Sequence, residues 1–132
     1  MSYEESLRSI SLDADATIGI YTGVPGQPGS AVPNTGKMYT FVKVTGSHQA
    51  GLCTAATDVV AGILQNKPQR PGAAATVGFV GVSNVIAGGP IAAGDLVAPN
   101  GSGAAVKDLT NGKWQALQPA VSGEIFPALR VL

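Results

Sequence analysis

At 132 residues, with 8 basic and 8 acidic side chains, the chain is long enough for one domain with a buried core and has no net field to draw nucleic acid or an anionic membrane. Hydrophobic residues make up 45% but aromatic residues only 5%; with much of the apolar share in alanine, the core is thin, and stability is expected from oligomerisation or docking onto a larger body. Cys53 has no second cysteine to pair with, the amino terminus lacks a basic, apolar leader, and no apolar run approaches the ~18 residues of a membrane helix, so the expectation is a soluble protein made in a reducing compartment.

In chain order, the first dozen residues read apart from the rest. Tyr3, Leu7 and Ile10 recur at helical spacing, with Glu4, Glu5 and Arg8 on other faces. That spacing predicts one or two turns of amphipathic helix in an arm, residues 1–12, which orders against a partner. Residues 13–21 predict the first strand of a single β domain, residues 13–132. Residues 22–37 hold three prolines and four glycines with almost nothing to bury, which predicts a long loop projecting from the β body. Candidate partner contacts are therefore Tyr3, Leu7, Arg8 and Ile10 in the arm, and Val24, Pro25, Pro28, Val32 and Pro33 in the loop.

Residues 38–44 read as a strand, with Tyr39, Phe41 and Lys43 on one side and Met38, Thr40, Val42 and Val44 on the other. Residues 58–65 predict a strand interrupted by Gly62, and residues 66–72 a turn. Residues 74–82 predict a strand in which Gly78 and Gly81 mark close packing or a bulge. Residues 96–98 and 104–107 form a hairpin about Asn100-Gly101. A second turn at Asn111-Gly112 is followed by strands at 114–117 and 124–132. No segment makes a helix longer than two turns, so the fold class is all-β, a small barrel or sandwich. An internal echo agrees with this: Ile63-Leu64-Gln65, Pro68 and Gly72 before one strand match Ala116-Leu117-Gln118, Pro119 and Gly123 before the last.

Few residues carry chemistry. His48 and Cys53 are close in sequence but stand in a segment with no oxyanion motif and no matched carboxylate, which favours a loop histidine beside a half-buried thiol over a nucleophile pair. Asp13 and Asp15 have the spacing of some metal loops, yet no further ligand follows. One His and one Cys cannot supply a zinc site of ordinary composition. Gly88-Gly89-Pro90 and Gly94-Asp95 lack the Lys-Ser/Thr of a phosphate loop and precede no helix. Asn100-Gly101-Ser102 matches a glycosylation sequon but reads as turn residues. Lys37-Met38 lacks the hairpin context of a biotinyl or lipoyl carrier. The expectation is no enzyme activity, no metal and no cofactor.

The run Gly62-Ile63-Leu64-Gln65-Asn66-Lys67-Pro68, the segment Gly72-Ala73-Ala74-Ala75-Thr76-Val77, and the long stretch from Gly81-Val82-Ser83-Asn84 through Ala93-Gly94-Asp95-Leu96-Val97, with a closing Gly123-Glu124-Ile125, resemble the capsid decoration, or cement, proteins of tailed bacteriophages. The likeness covers the C-terminal two-thirds. It implies a small all-β, β-tulip-like domain that adds to the outside of the expanded shell after synthesis in the bacterial host cytoplasm. It also implies the major capsid protein as partner and a trimer; the thin, alanine-rich core separately predicts a homotrimer with Val, Ile and Leu meeting near its axis, and the balanced charge predicts no direct contact with nucleic acid or membrane. The alternatives are a head-fibre or tail-associated adhesin, for which Trp114 is thin support, and a non-catalytic β-barrel binding module.

Overall fold

Ten strands, and no helix among the described residues, make up the computed structural model, which describes residues 7–18, 37–68 and 70–131. The first five are β1 (Arg8–Ala14), β2 (Phe41–Gly46), β3 (Gln49–Leu52), β4 (Gly62–Leu64) and β5 (Ala74–Val80). They close into a barrel in the order β1-β3-β2-β4-β5, with β5 returning to β1. β1 runs parallel to β3 and the remaining pairs are antiparallel. The other five are β6 (Val82–Ile86), β7 (Leu96–Pro99), β8 (Ala105–Lys107), β9 (Trp114–Ala116) and β10 (Ile125–Arg130), in an antiparallel sheet of order β6-β10-β9-β7-β8. This sheet curls until Ala87, just past β6, bridges Ala105 on β8, which covers two edges that would otherwise invite pairing.

The all-β fold expected from the sequence, a small barrel or sandwich, is thus observed, as a closed five-stranded barrel with a second sheet. Gly81, at φ 109°, turns the chain from β5 in the barrel into β6 in the sheet, a backbone angle that side chains resist. Alternation along β2 and β4 then gives the two halves a common wall. Val42 and Leu64 point into the barrel with Ala14, Ile18, Ala50, Ala75 and Val77. Their neighbours Phe41 and Ile63 point the other way, into a larger core with Val85, Val97, Trp114 and Phe126. Phe41 and Ile63 stand side by side because their backbones pair across β2 and β4.

Residues 8–12 are not helical. They form the first part of β1, paired with Val80, Gly78, Val77, Thr76 and Ala75 of β5, so the expected boundary between arm and domain at residue 12 falls inside a barrel strand. The pattern behind this is Ile10, Leu12 and Ala14 at period two, separated by Ser11 and Asp13, and two neighbouring strands reward it where an isolated short helix has nothing to bury. β1 also ends earlier than residue 21: it stops at Ala14, and residues 19–36, which include most of the expected projecting loop, lie outside the described residues.

Two expected strands are shorter. Tyr39 has φ 68°, so the regular part of the 38–44 segment begins at Phe41. In the 58–65 segment only Gly62–Leu64 is strand, because Asp58 accepts the Thr54 and Ala55 amides at 2.8 and 3.2 Å and folds residues 54–58 into a loop.

The internal echo corresponds to matched strand pairs. β4 and β5 are antiparallel neighbours in the barrel, as β9 and β10 are in the sheet. The turns before β5 and β10 are closed by Ala73 N–H to the Arg70 carbonyl oxygen at 3.1 Å and by Glu124 N–H to Val121 at 3.0 Å. Their glycines, Gly72 and Gly123, have φ 86° and 89°, the left-handed third position of a type II turn. The same turn occurs before β7, with Asp95 N–H on the Ala92 carbonyl oxygen at 3.1 Å and Gly94 at φ 89°. In the two sheet copies the acidic side chain reaches back: Ala92 N–H donates to Asp95 Oδ2 and Val121 N–H to Glu124 Oε1, each at 2.8 Å. These two turns lie side by side, since Ile91 and Ala120 exchange both backbone bonds at 2.8 and 3.0 Å. The Gly94-Asp95 and Gly123-Glu124 dipeptides are therefore turn closures in which the carboxylate is spent on backbone.

Candidate partner-binding surfaces

The residues expected to carry chemistry do not come together. His48, at φ 53°, forms the turn between β2 and β3 and its carbonyl oxygen accepts Asp13 N–H at 2.7 Å. Cys53 follows the far end of β3, roughly 16 Å away along an extended strand, fully buried in the larger core. Burial, with the charge of Asp58 adding to it, pushes the Cys53 thiol up to about 12, so it stays protonated and un-nucleophilic at neutral pH.

Asp15 is a structural brace. It accepts Thr17 N–H at 2.8 Å, the Thr17 hydroxyl, and the Thr45 hydroxyl at 2.8 Å. Partial burial works to raise its pKa, but the bonds from Thr17 and Thr45 together hold it below the usual carboxylate range. Asp13 shares no cluster with it, and among the described residues no group of three His, Cys, Asp or Glu side chains converges as a metal site would require. Asn100 is likewise a turn residue, its Oδ1 accepting Ser102 and Ala104 amides at 2.9 and 3.0 Å.

Of the expected partner contacts, Leu7 is half-buried against Gly78, Arg8 is exposed opposite Val80, and Ile10 is 45% exposed on β1. Tyr3, Val24, Pro25, Pro28, Val32 and Pro33 lie outside the described residues. Two surfaces that those expectations did not include stand out instead.

The first is the outer face of the sheet. Along β10, Phe126 and Ala128 are buried in the core, while Ile125 and Leu129 point outward at 51% and 38% exposure. Register extends the outward row: Ile125 pairs with Ile86 and Leu129 with Val82 on β6. On the other side Leu117, 45% exposed, donates its N–H to the Pro127 carbonyl oxygen at 3.0 Å. Pro127 interrupts nothing, because its missing N–H falls where β9 ends at Ala116. The result is a mainly aliphatic strip across three strands, interrupted by Asn84 opposite Pro127 and Gln115 opposite Leu129, and apolar exposure of this kind marks contact surfaces. The signal in the sequence was that Ile125-Phe126-Pro127-Ala128-Leu129 is apolar on both faces. In an antiparallel sheet with one wet face, hydrophobic and polar residues would alternate.

The second is a cleft of about 280 Å³ at the end of the larger core, lined by residues 56–60, Thr110, Asn111, Lys113 and Arg130. Carboxylates brace both of its loops. Asp58 Oδ2 holds the Thr54 and Ala55 amides and the Lys43 ammonium, the last at 3.1 Å; the Thr54 amide first and then Lys43 keep its pKa low. Asp108 Oδ1 accepts the Thr110 and Asn111 amides at 2.9 Å each, and its pKa is lowered, chiefly by the Asn111 amide. The loops so held present Val59 and Leu109 at 88% and 71% exposure, beside the cations Lys113 and Arg130.

No protein-family model matches the chain, and no curated protein matches it in sequence. Among solved structures it is similar to the N base of head fiber gp8.5 in bacteriophage phi29, with a TM-score of 0.65 at 17% identity, over 95% of this chain and 94% of that one. The barrel and curled sheet are therefore similar in fold to that protein over nearly the whole of both chains.

Proposed function

We propose that the protein is a structural component of a phage virion that attaches to the outer surface of the expanded head and joins neighbouring subunits of the major capsid protein. The observation that carries this reading is the end-to-end likeness to the phi29 head-fiber base. The aliphatic strip on β6, β9 and β10 supports it by supplying a permanent type of contact, since lasting interfaces are the more apolar ones. We assign that strip to contact between copies in a homotrimer, with Ile125 and Leu129 near the axis. A trimer on a shell stabilises it by mass action and gains from engaging several sites at once. The reading involves no catalysis, cofactor, nucleic acid or membrane.

A second reading, the base of a head fibre, is favoured by the same likeness. One experiment tests both: purified protein is mixed with undecorated expanded heads, and co-sedimentation and the heat resistance of the heads are measured. Cementing raises the temperature at which heads open; a fibre base sediments with heads and leaves that temperature unchanged. Absence of co-sedimentation rules out both.

A further inference from the structure

The cleft at the end of the larger core combines two cations with an aliphatic lining. Lys113 directly precedes β9 and Arg130 ends β10, and their backbones are neighbours: Arg130 pairs with Trp114, and the Lys113 carbonyl oxygen accepts Val131 N–H at 2.8 Å. Neither side chain forms an ion pair among the described residues, where the pairs are Lys43–Asp58 and Lys107–Asp95. Val59 and Val60 line the same cleft from beside the Asp58 brace. Val59, at 88% exposure, is the most exposed large hydrophobic side chain among the described residues.

The described carboxylates are committed elsewhere. Asp58, Asp95, Asp108 and Glu124 close their own loops and turns, and Asp15 braces Thr17 and Thr45. Asp13 stands toward the far end of β1, roughly 17 Å along the strand from Arg8. Arg130 is held at the Arg8 end, its N–H donating to Gly81 just past the Val80 that pairs with Arg8. Among the described residues no carboxylate is left for the cleft, and its complement is to be sought in another molecule.

The lining narrows what that molecule offers. A phosphate or a nucleic acid would use the cations and leave the valines in water, and among the described residues no aromatic ring lines the cleft for a base to stack on. A polypeptide can meet both. In an extended segment successive side chains point to opposite sides, so alternating acidic and aliphatic residues present carboxylates to Lys113 and Arg130 and methyl groups to Val59 and Val60.

We propose that the cleft binds an extended acidic–aliphatic segment of a partner protein, Lys113 and Arg130 holding its carboxylates and Val59 and Val60 its apolar side chains. The site is separate from the aliphatic strip on the outer face of the sheet, and the inference does not depend on the virion reading.

Amide NMR shifts of the intact, isotope-labelled protein test it, with a blocked hexapeptide of alternating glutamate and leucine as the probe. The expected result is a saturable shift confined to residues 56–60, 110–113 and 130, reduced at high salt as exposed charge pairs are. No shift there at peptide concentrations up to about 10 mM, beyond any useful affinity, would overturn the proposal. So would an equal response to alternating lysine and leucine, which would reduce the cleft to an apolar patch, or to inorganic phosphate or alternating glutamate and serine, which would reduce it to an anion site. Cleft shifts on concentrating the protein alone would overturn the partner assignment in favour of a second copy. Lys113→Glu with Arg130→Glu should weaken binding of the glutamate–leucine peptide at least about ten-fold and take up the lysine–leucine peptide in its place. Because Arg130 is half-buried and Lys113 exposed, Lys113→Glu alone keeps the test on a folded protein, and binding should fall about three-fold or more. Unchanged affinity in that variant, with the parental spectrum elsewhere, would overturn the role given to the cations.

Discussion

The two halves of the molecule reach stability by different means. The barrel core is small: of its seven buried members, three are alanines and none is aromatic. It holds together by close backbone approach, and a methyl group added at Gly62 would collide with the carbonyl oxygen of Gly78 across the β4–β5 pair. The sheet instead encloses Trp114, Phe41 and Phe126, the largest fully buried side chains, and depends on volume. One half is specified by what is missing from its side chains and the other by what is present. A change that one tolerates should be felt strongly in the other.

The largest expected effect tests whether the barrel needs its first strand. Removing residues 1–12 takes five positions out of β1 and with them five of its six pairings with β5, which opens the barrel along the β1–β5 seam while leaving Asp13 and Ala14 on β3. The truncated protein should lose its cooperative thermal transition by circular dichroism. If it melts like the intact chain, β1 is dispensable and the barrel is not the stabilising unit.

Point substitutions sharpen the contrast. Phe126→Ala leaves a large void in the sheet core and should lower unfolding stability by about 3–5 kcal/mol. In the barrel the telling change is an addition. Gly62→Ala normally would favour the folded chain by restricting the unfolded one, but here overpacking against the Gly78 backbone should cost about 1–3 kcal/mol. Urea midpoints at unchanged slope would measure both; a neutral Gly62→Ala would mean that the β4–β5 contact relaxes freely.

How much of this was legible beforehand follows the same division. The sheet declared itself: the Asn100-Gly101 hairpin, Asn111-Gly112, and the strands at Trp114 and Ile125 fall where turn chemistry and alternation put them. Gly78 does mark close packing, with Leu7 where its side chain would stand, but the single strand expected over 74–82 ends at Val80, and Gly81 turns the chain into β6 where a bulge or close packing was expected. β1 was misread because Tyr3, Leu7 and Ile10 fit a helical period while Ile10, Leu12 and Ala14 fit a strand period. Only the neighbouring strands decide between them, and one of them, β3, lies 36 residues away, Asp13 pairing with Gln49 in a parallel register that no local pattern reports. The cleft was invisible for a similar reason. Val59, Lys113 and Arg130 come from three separate segments, and the two aspartates that shape its loops look like any turn carboxylate.

The loop brace at Asp58 offers a smaller, pH-resolved test on the seam between the halves. Its folded pKa lies below the unfolded value of about 3.9, so its contribution is complete above that value and is lost as pH falls through the lower, folded pKa. Asp58→Asn should therefore destabilise by about 1 kcal/mol at pH 7, on the scale of a capping carboxylate. The gap from the parent protein should narrow below about pH 4. A gap independent of pH would show that the lost geometry, rather than the lost charge, matters. The Asp58 side chain is 19% exposed, which keeps the expected effect at the modest end.

The smallest effect on folding should carry the largest effect on assembly. Ile125 sits on the outside of β10 at 51% exposure, while Phe126 beside it fills the core, so a substitution at Ile125 removes no buried contact. Ile125→Lys should change unfolding stability by less than about 0.5 kcal/mol, as expected for surface positions. Yet it places a charge at the Ile125–Ile86 end of a row continued by Leu117, Leu129 and Val82, and an ammonium buried without a partner in such a contact is strongly unfavourable. If copies meet there, the parent protein should sediment as a trimer and Ile125→Lys as a folded monomer. Binding to heads should then weaken by much more than a single contact is worth, because the multivalent gain disappears with the trimer. A variant that stays trimeric would move the copy contact off the sheet face and leave that strip to the shell.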